Sequence, residues 1–520
     1  MTFKQNLIAL SLAGVLVGCG STGSSVNTVD IETSAVNTST LTVNDKTVIT
    51  SESILPADGQ ALKQQILDLQ DGDTLVVPAG KYADLGVFNI SANNVTIKAE
   101  QQGTVWFTGS VQINLTGNNI TLDGVVFTEG GPAERMGGII FRGDNNTLQN
   151  STFYYFIDGL AYEPDERRAE YPKYLWISLY GKHNQLLNNT FEGKHKRGTL
   201  IGVQKAKGDT TPDHHVIKGN LFYNQKHNQF NEFDNAEAKR YNSNSWEAIR
   251  LGDSKSSIYD SKTLIEDNLF LQSDGETELV SLKSGSNIVR GNTIVDSASM
   301  ISMRHGKNNT VENNVIIGNG KAQTGGIRFY DEGHVIRNNY IERVMGTGDV
   351  RGGIVVNTGI TDVANGEQLD DSIKGKELNK QATVNNVLVE NNTIIDSRQN
   401  ILYSDKSHRV SLYDNSKVST IYPGHNVTFR NNLSYAAGNR TLALKGNDST
   451  APLVDPVFEN NLYFGTVAGT ELPWDGAIMR DPKLERAENG LLVPTNFDGG
   501  ARDLTVYTMN DTGAQYQIKK

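Results

Sequence analysis

The chain has 520 residues, a formal charge of −11 and one cysteine. The charge argues against a general nucleic-acid binder but permits a local basic cleft for an anionic substrate. A single cysteine excludes an intramolecular disulfide. The length, with 51 Gly and only 12 Pro, suits two ordinary domains or one repeat architecture that grows by stacking.

In chain order, Met-Thr-Phe-Lys followed by "LIALSLAGVLVG" reads as a secretory signal, too short to span a bilayer comfortably. It ends at Cys19, and "LVGC" from Leu16 to Cys19 resembles the lipobox of bacterial lipoproteins. That resemblance implies residues 1–19 as a lipoprotein signal and Cys19 as the lipidated first residue of the mature chain. Gly20 in place of Asp then implies the outer membrane. Residues 20–48 are rich in Ser, Thr, Asn and Val without helical period, and are expected to form a flexible tether.

The first ordered element is expected to be a helix. In "PADGQALKQQILDLQDGD", Asp58 is a candidate cap and Leu62, Ile66 and Leu69 share a face. A short amphipathic helix ahead of a strand stack would plug its open end.

From there one phrase recurs: "NNVTIKAE", "NNITLDGVVF", "HHVIKGNLF", "KTLIEDNLF", "SNIVRGNTI", "NNTVENNVI", "GHVIRNNYI", "NNVLVENNTI", "HNVTFRNNL" and "VFENNLYF". It runs apolar-x-apolar, two or three polar residues often including Asn, then apolar-x-apolar. Asn268, Asn292, Asn314 and Asn339 hold one slot at separations of 24, 22 and 25. A period of that size made of strands and turns predicts an all-β solenoid. The best fit is a right-handed parallel β-helix of about a dozen coils over residues 49–465. The slot Asn is expected to take the left-handed conformation and to bond its neighbours along the axis. Segments near 156–178, 205–212, 230–260, 344–382 and 398–420 break the phrase and are expected to leave the stack as loops. Residues 466–520 lose the period and are expected to cap the far end.

Within the stack, "DGETELVSLKSG" puts Glu276 and Glu278 two apart, on one face of an extended chain. Lys283 and Arg304, 21 residues apart, fall on neighbouring coils about 4.8 Å apart, with His305 beside Arg304. Asn244 and Arg250 lie a coil or two earlier, and Arg328 and Tyr330 a coil later. Two carboxylates and an amide oxygen are the hard ligands Ca2+ takes, and arginine suits bidentate binding of a carboxylate. The constellation points to an acidic sugar polymer as substrate.

The order N-x-x-E-x-I-R-L-G, D-G-E-x-E-x-x-x-x-K-S, R-H-G and G-G-I-R resembles polysaccharide lyase family 6, which contains alginate lyases and chondroitinase B on a β-helix. The resemblance implies that Asn244, with Asn242 as its rival, Glu276 and Glu278 hold Ca2+. It implies Lys283 as base and Arg304 as acid. It also implies that Arg250, His305 and Arg328 line substrate subsites, and Tyr330 joins that set. Elimination across a uronate fits these residues: a neutral base takes the C5 proton, a cation masks the carboxylate, and the C4 oxygen departs. A guanidinium hardly deprotonates, which leaves His305, a tyrosine or water as alternative proton donors. The expected activity is Ca2+-assisted cleavage of alginate by a lipid-anchored, exported lyase. Its rivals are a dermatan sulfate lyase, a non-catalytic carbohydrate-binding β-helix, and a hydrolase using Glu276 and Glu278 as its carboxylate pair. The run "EGKHKRG" from Glu192 to Gly198 is either a further substrate contact or a plain charged turn.

Overall fold

The repeated apolar-x-apolar triplets are short because each supplies only enough inward residues to cross one side of a coil. In the computed structural model they form strands of mostly three residues, paired in parallel between neighbouring coils and mostly in register. The model describes residues 45–158, 160, 171–227, 244–346, 350–360, 380–404, 422–436, 452–465 and 477–519. The expected signal, Cys19 and nearly all of the expected tether lie outside the described residues, as do Asn242 and parts of the expected loops.

The strands stack in three columns. One column is a sheet of 13 strands, one per coil, close to the expected dozen. The other two columns are joined near their start by the long strands Val105–Leu115 and Val125–Pro132. Here the second column denotes the stack containing Ile177–Leu179, Ile201–Val203, Ile249–Leu251, Glu278–Lys283, Met300–His305, Ile327–Phe329 and Ile354–Asn357. The third contains Thr152–Tyr154, Thr190–Glu192, Leu221–Tyr223 and their successors. Inward residues of all three meet in one continuous core. Within it Phe127, Phe153, Phe191, Phe222 and Phe270 stack coil upon coil, for example at 4.5 Å between Phe222 and Phe270. This is the parallel β-helix expected from the period.

The helix forms at Gly59–Leu67, with the Asp58 carboxylate accepting from the Ala61 N–H at 2.9 Å. Leu62 and Ile66 join the core at the first coils, with Leu69 packed against it just beyond the helix.

The turn asparagines divide the two expected roles. Asn189, Asn220, Asn268, Asn292, Asn314, Asn339, Asn392, Asn432 and Asn461 are buried and form an unbroken amide ladder, each Nδ2 donating to the next Oδ1. The left-handed conformation belongs instead to the residue before each, such as Asn188, Asp267, Asn313, Asn338 and Asn391. A left-handed residue turns the chain so that the next side chain points inward, where its amide can only be satisfied by its stacked neighbours.

The end of the chain differs from expectation. Residues 477–519, the described part of the expected cap, meet the last coil and then run back along the outside of the third column. Ile478 meets Asn461 and Tyr463. The N–H groups of Ala501, Tyr507 and Ala514 then bond the hydroxyls of Thr393, Thr293 and Thr190. Tyr516–Lys519 finally pairs in parallel with Thr47–Thr50. Threonines at outward positions of the column supply acceptors to this strap, a relation that loss of periodicity alone does not reveal.

Candidate active site

In the second column the inward residues of Glu278–Lys283 are Val280 and Leu282, both in the core, so Ser281 and Lys283 face outward. Arg250, Ser281, Ser302 and Arg328 stand in one outer row across four coils. The small serines leave a floor between the two arginines, and Arg328 Nε donates across it to Ser302 Oγ at 2.8 Å.

Two register shifts re-aim the chemistry. One lies between Glu278 and Val280, the other between Leu282 and Lys283. At the first, Leu279 and Val280 both enter the core, which breaks alternation and brings Glu278 out beside Ser281. At the second, Lys283 pairs with His305, leaving Arg304 as the extra residue of a bulge. Lys283 and Arg304 therefore share a face, as expected, but not a register position.

Glu278 is the hub. Its carboxylate accepts from Arg304 Nη1 at 3.1 Å, Arg328 Nη2 at 2.5 Å and Ser281 Oγ. Burial alone would raise its pKa, but Arg304, Lys283 and Arg328 together hold it well below the usual carboxylate range. Lys283 Nζ stands 3.9 Å from Glu278 and 3.5 Å from Glu247 Oε1. The other oxygen of Glu247 accepts from Thr199 Oγ1 at 2.7 Å. Burial pushes Glu247 up, while Lys283 and Arg250 outweigh it and leave the group lowered.

Glu276 points elsewhere. Its Oε1 accepts from the N–H groups of Ser245 and Trp246, both at 3.1 Å. The same Ser245 N–H faces Asn244 Oδ1 at 2.8 Å, so these two expected ligands converge on one backbone donor. Burial, then Glu247 and Glu278, push the Glu276 carboxyl well above its ordinary range. His305 is buried with Nε2 3.5 Å from Ser254 Oγ, and Tyr330 is buried with its ring 5.9 Å from the Arg328 guanidinium.

Two charged residues of the cleft escape the sequence reading. Glu247 sits inside the motif N-x-x-E-x-I-R-L-G, just before the strand that pairs with Glu278–Lys283, and that motif was the available signal. Arg351 lies in a segment without the repeat phrase; it donates to Thr277 Oγ1 at 2.8 Å and to Gln323 Oε1. The run Glu192–Gly198 is not a plain solvated turn. Arg197 is buried and holds the backbone carbonyls of Asn244 and Tyr171, each at 2.7 Å. Lys194 is buried too, and burial pushes it down to about 7.

This donor set does not fit a resident Ca2+ ion held by Asn244, Glu276 and Glu278. Glu278 spends its oxygens on two arginines and a serine, and Lys283 Nζ lies 3.5 Å from Glu247 and 3.9 Å from Glu278. Among the described residues no three acidic, histidine or cysteine side chains converge on a metal position. The cleft instead carries its own cations: Lys283, Arg250, Arg304, Arg328 and Arg351, five against the three carboxylates of Glu247, Glu276 and Glu278. Such an excess suits an anionic substrate.

A family model for chondroitinase B matches residues 57–504. Among solved structures, the chain is 51% identical to the alginate lyase AlyF-OU02 in complex with G6, at a TM-score of 0.84, covering 93% of this chain and 98% of that one. A PL6 alginate lyase in complex with a trisaccharide is likewise 51% identical, at a TM-score of 0.83, over 92% of this chain and 98% of that one. The PL6 alginate lyase AlyGC is 25% identical at a TM-score of 0.72, covering 91% of this chain and 59% of that longer chain. Comparison with curated proteins gives no match. With most of its length matched by the family model and half of its residues shared with two such lyases, this chain belongs to the chondroitinase B family, polysaccharide lyase family 6.

Proposed function

We propose that this chain cleaves alginate by β-elimination at the cleft around Glu278. The observation that carries the reading is Lys283 and Arg304 gathered on one buried carboxylate beside a row of arginines. The two relatives at 51% identity, both described as alginate lyases, support alginate over dermatan sulfate. In this scheme Arg328 and Arg250 hold the uronate carboxylate and draw charge from C5. The free amine of Lys283 takes the C5 proton, the C5 electron pair forms the C4–C5 double bond, and the C4–O bond breaks. Glu278 raises the pKa of Arg304 further, against the opposing effect of burial. Arg304 thus stabilises the departing oxygen rather than protonating it, and the proton comes from another donor.

The arginines supply the masking charge, so the reaction is proposed to run without a resident Ca2+; Ca2+ at the edge formed by Asn244 and Glu276 is the alternative. The test follows ultraviolet absorbance of the unsaturated product on alginate and dermatan sulfate, with and without chelator. Alginate turnover should persist after chelation, and Lys283→Ala should lower it by about two to four orders of magnitude. Loss on chelation that Ca2+ restores would return the ion to the mechanism. A Lys283→Ala variant keeping more than about a tenth of turnover would remove lysine as base.

The lipobox-like "LVGC" supports a further proposal, that the enzyme is exported and held on the outer membrane through Cys19. Fractionation of cells carrying Cys19→Ser should find the protein released or unprocessed; wild-type protein that is soluble and unlipidated would refute it.

A further inference from the structure

Arg351 is the one cleft cation that the scheme above leaves without a task. It precedes the strand Ile354–Asn357, yet its guanidinium reaches back 74 positions in sequence to Thr277. Thr277 lies between Glu276 and Glu278, so the contact brings a fourth arginine to the edge of the reacting centre.

Its partners differ from those of the arginines beside it in the cleft. Arg290, Arg337 and Arg430 on the outer surface bond carboxylates, and Arg304 and Arg328 share Glu278. Arg351 bonds two neutral side-chain oxygens, those of Thr277 and Gln323. Its Nε is buried and has no partner among the described residues. Burial and then the neighbouring Arg328 push its pKa down to about 10, with Glu276 as the opposing charge. Glu276 is itself pushed toward the neutral acid by burial and by two other carboxylates. Arg328 has Glu278 as its counter-charge, whereas Arg351 is buried beside it with no carboxylate bonded to it among the described residues. Burying a charge in that state is costly unless a counter-charge arrives. Thr277 and Gln323 fix the orientation of the fork, which lowers the cost of binding a planar anion.

We infer that Arg351, with Arg328, clamps the carboxylate of the sugar next to the one being cleaved, making it a specificity-determining residue for polymers charged on consecutive sugars. The inference rests on the uronate-polymer reading above. Arg328 then faces two demands, the carboxylate at the reacting sugar and the one beyond it, and Arg351 carries most of the second. The neutral anchors follow from this role: a carboxylate anchor would cancel the charge that the ligand must meet.

The experiment measures binding by calorimetry in the Lys283→Ala background, where turnover does not consume the ligand. An alginate trisaccharide and a dermatan tetrasaccharide serve as probes. Adding Arg351→Ala should weaken whichever probe binds by about ten- to a hundredfold, the range for a hydrogen bond to a charged group. Arg351→Lys should recover only part of that, because an ammonium lacks the fork. In the active enzyme the loss should fall on KM far more than on kcat. A change in affinity below threefold would overturn the clamp. So would a drop in melting temperature of Arg351→Ala large enough to account for the loss, since that marks a structural arginine. Wild-type turnover of alginate decides the substrate reading separately, because the clamp is read as affinity in a background without turnover.

Discussion

Two histidines stand where asparagines would be expected. A second row of buried turn residues runs beside the amide ladder, in which Asn146, Asn184, Asn287 and Asn309 accept a backbone N–H from the preceding coil. His215 and His334 continue it, their Nδ1 accepting from the N–H groups of Asn184 and Asn309, each at 3.1 Å. A protonated ring would turn an N–H against an N–H. Burial accordingly pushes both rings from 6.5 down to about 4, for His215 against the pull of Asp213 and for His334 against its backbone contacts. A lowered folded-state pKa means stability that is complete above the unfolded value of 6.5 and lost as pH falls toward 4. At pH 5 the loss is about 2 kcal/mol for each histidine. A variant with His215→Asn and His334→Asn should therefore lose less melting temperature between pH 7 and pH 5 than the wild type. Equal losses would mean that these rings do not govern acid sensitivity. At this scale the site was only half legible. Glu276 and Glu278 are visibly a pair on an extended chain, but alternation cannot show the bulge at Leu279 that sends Glu278 to the arginines while Glu276 turns to the backbone of Ser245. Glu247 was in view and unread because its worth depends on which way that neighbour points.

Elements in this fold are matched along the axis as much as along the chain. The last residues of the final eight strands in the 13-stranded column form a row of alternating sign: Lys218, Glu266, Arg290, Glu312, Arg337, Glu390, Arg430 and Glu459. Several neighbours bond directly, as Arg290 with Glu266 at 2.7 Å and Arg337 with Glu312 at 2.7 Å. Opposite charges across strands help and like charges hurt, although exposed pairs count for little individually. Arg290→Glu would set three acids in succession. It should destabilise by about 1 kcal/mol at low salt and by less at high salt, as screening predicts. Chemical denaturation at two ionic strengths checks this, and a loss indifferent to salt would point to packing instead. The row is spelled in the recurring phrases, "VIKGN", "LIEDN", "IVRGN", "TVENN", "VIRNN", but becomes visible only when the coils are laid over one another. The asparagine slot, by contrast, is legible directly, because one residue type repeats rather than two in alternation.

For the whole molecule, periodicity carried the reading wherever it held and failed where it stopped. The β-helix, its coil count and its plugging helix follow from a spacing of inward apolar residues that only a stack can bury. The course of residues 477–519 does not. A segment without period has no preferred docking face until the hydroxyls of Thr190, Thr293 and Thr393 are seen to lie outward in one line. In a solenoid each coil otherwise touches only its neighbours, so stability is a sum of local terms. The strap adds contacts between elements that are far apart along the axis, and so links the opening of distant coils.

That strap also has a consequence in time. Coils can stack as they are made, each on the one before. The strand Thr47–Thr50, however, belongs to the earliest part of the described chain, and its partner Tyr516–Lys519 to the last. Roughly 470 residues of synthesis separate them, about half a minute to a minute and a half at usual rates. For all that interval the first strand has an open edge and the third column an uncovered outer face. The finished enzyme is closed by a strand made long after its partner, and every earlier stage must keep soluble a stack that is still unlatched.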